Sequence, residues 1–153
     1  GELRDVDLQT CVDSTVALVR RDLKARQIAI AVVQPDCPSI VQGDTGALNQ
    51  MILNLVKNAA EAIDDRGGSI SITVSREGDK AVLDVVDDGP GIEAASLSRL
   101  FEPFYTTKEA GRGTGLGLSI CRRIAISHGG NISVRSTPGN GAHFRVQLPA
   151  CDT

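Results

Sequence analysis

TGALNQMILNLVKNAAEAI, residues 45 to 63, is the stretch on which the fold turns. Leu48, Met51, Ile52, Leu55, Val56, Ala59, Ala62 and Ile63 recur every three or four residues, the period of an α-helix with one apolar side. Gly43 and Asp44 stand immediately before it and supply a helix start signal. A stripe this broad has to lie on a sheet, so the flanking sequence is read for strands.

On the C-terminal side, Ile70, Ile72 and Val74 alternate with Ser71, Thr73 and Ser75. After Glu77-Gly78-Asp79 the run Ala81 to Val86 follows, and the two runs predict a hairpin. A second hairpin joins Ile132 and Val134 through Thr137-Pro138-Gly139-Asn140-Gly141 to Phe144, Val146 and Leu148. Between them, residues 115 to 128 predict a helix with glycines at its entry and Gly129-Gly130 at its exit. On the N-terminal side, Leu8, Val12, Thr15, Val16, Val19 and Leu23 mark an amphipathic helix over residues 8 to 25. Ile28 to Val33 reads as a short buried strand, and Ile40 and Val41 as another. Alternating strands have one covered and one solvated face. The architecture expected is therefore an α/β (α+β) two-layer sandwich, a mixed, largely antiparallel sheet covered on one face by three helices.

Composition sets the outer limits. A chain of 153 residues, 41% hydrophobic, suits a single domain over residues 1–153. A formal net charge of -3 provides no broad basic surface for nucleic acid or anionic membrane. The longest unbroken apolar run, Ile28 to Val33, falls far short of the ~20 residues of a membrane helix, and no signal-peptide pattern is seen, so a soluble, cytoplasmic domain is expected. Cys11, Cys37, Cys121 and Cys151 are scattered, without zinc-site spacing, and read as reduced thiols that mostly serve packing. Phe101, Phe104 and Tyr105 fall together, directly before alternating Gly111, Gly113, Gly115 and Gly117. Residues about 102 to 115 therefore look like a functional loop.

Three segments carry chemistry. Asn54 and Asn58 are four apart at the border of the helical stripe, which stacks their amides on one side. Amide oxygens there can coordinate a hard cation such as Mg²⁺, and the same pair also suits a solvated helix surface. Asp87-Asp88-Gly89-Pro90-Gly91-Ile92 follows a strand. A carboxylate at a strand end accepts from an exocyclic amine, and bare glycines let a flat base such as adenine approach. The segment also fits a plain turn, and Gly89, Gly91 and Ala94 match a dinucleotide-binding fingerprint, although the parallel strand that fingerprint requires does not follow. Gly113-Thr114-Gly115-Leu116-Gly117-Leu118 opens a helix, where free N–H groups and the dipole favour polyphosphate, and it equally fits a flexible linker. No Gly-Lys pair occurs, so it is not a Walker A loop. Lys108 and Arg112 lie in the same loop and can meet phosphate charge, while Phe101 and Phe104 can anchor or release it.

Taken in order, NLVKNAAEA (54 to 62), DDGPGI (87 to 92), LFEPFYTTK (100 to 108) and GTGLGLSI (113 to 120) resemble the four sequence boxes of sensor histidine kinases. HGGNISVRSTPGNGAHFRVQLP (128 to 149) resembles that family's terminal hairpin, so the likeness spans essentially the whole chain. The EPFYTTK segment is similar to kinases of the nitrogen-regulation and oxygen-sensing type. The resemblance implies the ATP-binding sandwich shared with gyrase, Hsp90 and MutL, with ATP and Mg²⁺ as cofactors. It implies that Asn58, helped by Asn54, ligands the Mg²⁺, and that Asp87 takes the adenine amino group. Gly89 and Gly91 would admit the base with Ile92 beside it. Gly113, Thr114, Gly115, Leu116, Gly117 and Leu118 would wrap the phosphates as part of the ATP lid, with Lys57 and Lys108 as further phosphate contacts.

The same resemblance implies transfer of a γ-phosphoryl group to histidine. Only His128 and His143 occur, and neither sits mid-helix beside an acid as the family's phosphoacceptor does. The acceptor is thus expected upstream, on the protein's own dimerising helical hairpin, which would also be where a response regulator is met; the parent protein is free to carry a membrane anchor. The ATP-hydrolysing relatives resemble this chain but place a glutamate base where Asn54 stands, and an amide cannot serve as a base. Glu61 leaves hydrolysis a small opening. The remaining alternatives are an anti-sigma-type serine kinase, against which the aromatic EPFYTTK segment speaks, and a non-catalytic nucleotide sensor. Ala142 stands where many relatives carry Thr near the base.

Overall fold

The computed structural model describes residues 2–33, 35–105 and 117–151. Lys108, Gly111, Arg112, Gly113, Thr114, Gly115 and Leu116 lie outside the described residues.

The chain runs β1 (Arg4–Asp7), α1 (Leu8–Ala25), β2 (Ile28–Val33), β3 (Ile40–Gly43), α2 (Thr45–Ile63) and a 3₁₀ turn (Asp64–Arg66). It continues through β4 (Gly68–Glu77), β5 (Lys80–Asp87), α3 (Ala94–Leu97), α4 (Gly117–Ser127), β6 (Asn131–Ser136) and β7 (Ala142–Pro149). The main sheet has five strands in the order β2-β4-β5-β7-β6. Only β2 and β4 pair in parallel; the other pairs are antiparallel, as the two predicted hairpins require.

Alternation decides which face is covered. Ile70, Ile72 and Val74 of β4, Leu83 and Val85 of β5, and Phe144, Val146 and Leu148 of β7 are buried under α1, α2 and α4. Leu48, Met51, Ile52, Leu55 and Ile63 of α2 are essentially inaccessible to water. At about 1.5–3 kcal/mol for each fully buried Leu, Ile or Met, this stripe is the main attachment of helix to sheet. The opposite sheet face is polar: Asp84 accepts from Arg145 Nε at 2.8 Å and lies 2.6 Å from His143 Nε2.

Several expectations are corrected by the fold. Ala60, not Ala62, completes the buried stripe, because α2 turns Ala60 toward α1, where Arg26 donates to its carbonyl oxygen at 3.2 Å. Ala62 is only half-buried. The strand at Ile40 is longer than expected and pairs antiparallel with β1, forming a separate two-stranded ribbon. RDVD carries a single buried apolar residue, Val6, too little periodicity to announce a strand. Packing accounts for only part of the cysteine set: Cys11 and Cys121 are buried, Cys151 is half-buried, and Cys37 is exposed. Burial pushes the Cys121 thiol up to about 12, so it stays protonated and donates weakly to the Met51 carbonyl oxygen at 3.5 Å.

Candidate functional site

Asp87 is the last residue of β5 and lies on the same face as Leu83 and Val85, so its carboxylate turns under the helices. It is 4% exposed, in line across the sheet with Ile70 on one side and Ala142 on the other. Oδ1 accepts from the Gly89 backbone N–H at 2.9 Å. Burial raises its pKa, partly opposed by hydrogen bonds from the backbone of Gly89 and Ala142. Ala142 therefore meets Asp87 through its main chain.

The neighbouring acid has a different task. Asp88 is exposed and takes the Ser69 N–H at 2.8 Å and the Ser69 hydroxyl at 3.0 Å, tying the end of β5 to the start of β4. Of the two adjacent carboxylates only Asp87 faces the interior, which strand alternation foretells once the end of β5 is fixed.

The glycines after Asp87 are explained by protein contacts. A Cβ on Gly91, at φ +81°, would lie 2.1 Å from the Thr137 carbonyl oxygen, and one on Gly89 would lie 3.2 Å from the Ala62 carbonyl oxygen. Gly141 lies outside the four sequence boxes, yet a Cβ there would lie 2.0 Å from the Asp87 carbonyl oxygen. The loops after β5 and before β7 thus close over the Asp87 strand end by backbone-to-backbone approach. Ile92 is half-buried against the core, and its N–H donates to Ser136 Oγ at 2.8 Å.

From this corner the site extends along α2. Asn54, Asn58 and Ala62 are spaced by four and form one ridge about 12 Å long. Ala62 touches Gly89 at one end of it. At the other end Asn54 Nδ2 reaches the Gly117 carbonyl oxygen over a long 3.5 Å, and Asn54 Oδ1 accepts from Gln50 Nε2 at 3.2 Å. Asn58 is half-buried, and its amide makes no hydrogen bond with the described residues. Lys57 is exposed beside this ridge. Gly117 is the first described residue of α4, and a Cβ there would meet no described atom within 4 Å. Leu118, the next residue, packs partly against the core.

The aromatic cluster divides. Phe101 stands edge-on to Phe144 with ring centroids 6.4 Å apart, and the Tyr105 hydroxyl donates to Ser96 Oγ at 2.9 Å beneath the Arg99 guanidinium. Phe104 is 74% exposed. Tyr105, inside the range read as loop, thus packs on the core. Neither histidine is placed as a mid-helix nucleophile: His143 pairs with Asp84 on the polar sheet face, and His128 follows the end of α4.

A buried carboxylate at a strand end and a ridge of amides thus lie together on a helix-covered mixed sheet. Residues 43–152 match the family model described as Histidine kinase-, DNA gyrase B-, and HSP90-like ATPase. The sensor histidine kinase ZraS of Escherichia coli (strain K12) is 40% identical over 147 residues, 96% of this chain and 31% of that protein. The chain spans about a third of the length of such curated relatives. The catalytic domain of histidine kinase ThkA superposes with a TM-score of 0.86 at 32% identity, covering 97% of this chain and 96% of that one. ThkA has also been solved in complex with response regulator protein TrrA. Full-length ShkA in complex with AMPPNP matches with a TM-score of 0.86 at 29% identity, covering 99% of this chain and 32% of that one. This chain belongs to the histidine kinase-, DNA gyrase B- and HSP90-like ATPase family, as a catalytic domain of the sensor histidine kinase type. No helix among the described residues is long and apolar enough to cross a membrane.

Proposed function

We propose that this domain binds Mg-ATP with adenine at the Asp87 corner and the phosphates along the Asn58–Asn54 ridge. The γ-phosphoryl group would then pass to a histidine on a helical hairpin outside this chain. The observation that carries this reading is the α2 ridge itself. It joins a buried, backbone-fixed carboxylate at one end to Gly117 of α4 at the other.

Each residue has a task set by its surroundings. Asp87, ionised, accepts from the adenine amino group, and its bond from Gly89 N–H fixes the carboxylate before the base arrives. The half-buried Asn58 amide oxygen accepts no hydrogen bond from the described residues, and Asn54 lies one turn away. Among the described residues no group of three or more His, Cys, Asp or Glu is placed to hold a metal ion. The donors available are amide oxygens, which suit Mg²⁺ because it takes few protein ligands and completes its shell with phosphate oxygens and water. When bound, Mg²⁺ supplies neutralisation of phosphate charge. On this reading the backbone around Gly117 and Leu118 of α4 offers the same kind of stabilisation. Lys57, and Lys108 with Gly113, Thr114, Gly115 and Leu116 in the lid, complete the proposed phosphate contacts.

The AMPPNP in ShkA and the TrrA bound to ThkA support a nucleotide ligand and a response-regulator partner for the protein to which this domain belongs. Calorimetry with Mg-ATP tests the binding step, and labelling of a separately supplied cognate His hairpin from γ-labelled ATP tests transfer. Binding without any labelling of the hairpin would reduce the function to nucleotide sensing.

A further inference from the structure

We propose that His128 is a positioning residue for the phosphate side of the site. Its neutral imidazole, with the proton on Nδ1, pins the C-terminal end of α4 to the start of α2. The bonds admit only this form of the ring. Nδ1 lies 2.8 Å from the Ile124 carbonyl oxygen, which can only accept, so Nδ1 carries hydrogen. Nε2 lies 3.1 Å from the Asp44 backbone nitrogen, which can only donate, so Nε2 is bare. Ser127 Oγ, 3.2 Å from Nδ1, donates its own proton to Ile124 O at 2.8 Å and turns a lone pair toward the ring.

The start of α2 is shaped to receive this ring. A Cβ on Gly43 would lie 2.9 Å from His128 Cδ2 and 2.7 Å from Leu48 Cδ1, so the imidazole occupies the space a side chain would need. Asp44, whose N–H the ring holds, is the N-cap of α2 and accepts from Ala47 N–H at 3.2 Å. Bonds therefore run without a break from the last turn of α4, through the imidazole, into the first turn of α2.

Along the two helices, polar ties link His128 to Asp44, Cys121 to Met51, and Gly117 to Asn54. The last two are 3.5 Å long and weak. Of these three the His128 tie is the shortest, at 3.1 Å, and it sits at the opposite end of α4 from Gly117, which meets the Asn ridge. It fixes the helix axis from behind, and the Gly117 end follows. The Asp87 corner, built from β5 and the loop before β7, does not depend on it.

The effect on ATP rests on the nucleotide reading above, whereas the clamp itself is measurable without nucleotide. In a long-range ¹H–¹⁵N spectrum at mildly alkaline pH, His128 is expected as the Nδ1–H tautomer, with the Asp44 amide slow to exchange. His128→Ala should speed Asp44 exchange at least about tenfold and weaken Mg-ATP binding by about tenfold, while adenosine binding shifts less than about twofold. His128→Gln, whose Oε1 can accept the Asp44 N–H, should recover most of both losses. An Nε2–H tautomer, an unchanged Asp44 amide, or equal losses for adenosine and Mg-ATP would each overturn the proposal. If the wild-type domain bound neither ligand, the nucleotide reading would fall, while the spectrum and the exchange data would still decide the clamp. Should His128→Ala fail to fold, the wild-type spectrum and the His128→Gln variant carry the test.

Discussion

Gly141 and Gly117 stand at opposite ends of the site, and as letters in the chain they are indistinguishable. At Gly141 the backbone has φ +68° and presses on the Asp87 main chain, so the glycine is there for the protein. At Gly117 no described atom lies within 4 Å of where a Cβ would stand, so the described residues provide no packing reason for it. The corner proposed for the base is thus backbone-built, with its carboxylate buried and already hydrogen-bonded. The side proposed for the phosphates is lined by half-buried amides that make long bonds or none with the described residues. Discrimination of a flat base asks for fixed atoms, whereas a charged chain that arrives and leaves asks for groups that can turn to meet it.

The comparison breaks first at Gly141. Gly141→Ala places a methyl group where the Asp87 carbonyl oxygen stands and forces a non-glycine residue to a positive φ. A loss of about 3 kcal/mol in unfolding free energy is expected by denaturant titration, and ATP binding should fall with it because Asp87 is displaced. A loss below about 1 kcal/mol would mean that the corner is not rigid.

Asp87 comes next. Asp87→Ala should weaken ATP binding by about 2–3 kcal/mol, roughly 30- to 150-fold by calorimetry, since a charged acceptor in a buried site is removed. Its raised pKa adds a pH signature. Without nucleotide, the cost of the buried charge is absent below the ordinary carboxylate value of 3.8, grows as pH rises through the raised value, and lowers stability over that window. Nucleotide affinity runs the other way, because the ionised form is the acceptor. Affinity should be lost as pH falls through the raised value, above where an ordinary carboxylate titrates. Asp87→Asn should abolish this dependence; an unaltered pH profile in that variant would remove Asp87 from base recognition.

Much of this contrast is legible in the sequence, in unequal measure. The α2 stripe, both hairpins and the bounds of α1 follow from periodicity, because each element buries one face on a single core. β1 is illegible because its partner β3 lies far along the chain and only Val6 is buried. Asp87 is found from its place at a strand end, but the service of Gly89 and Gly91 to Ala62 and Thr137 is not, since close backbone approach is a tertiary fact. The same holds for Gly141. His128 draws notice in the sequence only as an unsuitable nucleophile, because its partners Asp44 and Ile124 belong to different helices' ends.

A smaller effect is expected on the ridge. Asn58→Ala removes a half-buried amide that makes no hydrogen bond with the described residues, so stability should change by less than about 0.5 kcal/mol. Mg-ATP affinity should drop about tenfold while adenosine affinity holds, because only the phosphates and their cation meet this side chain. Equal losses for both ligands would place Asn58 at the base and erase the division between the two ends.

The smallest change sharpens the contrast most. Gly117→Ala adds the same methyl group as Gly141→Ala, but in α4 and with no described atom within 4 Å. Helix propensity favours alanine by about 0.5–1 kcal/mol within a helix, so stability should hold or rise by up to about that amount. Binding should respond in the opposite sense, with Mg-ATP affinity falling a few-fold, about 0.5–1 kcal/mol, as the methyl group limits approach of the phosphates to the Gly117 backbone. Thermal unfolding and calorimetry on the one variant check both signs. A stability loss approaching that of Gly141→Ala would show that Gly117, too, is there for packing; unchanged Mg-ATP affinity would show that phosphate does not approach the helix at this residue.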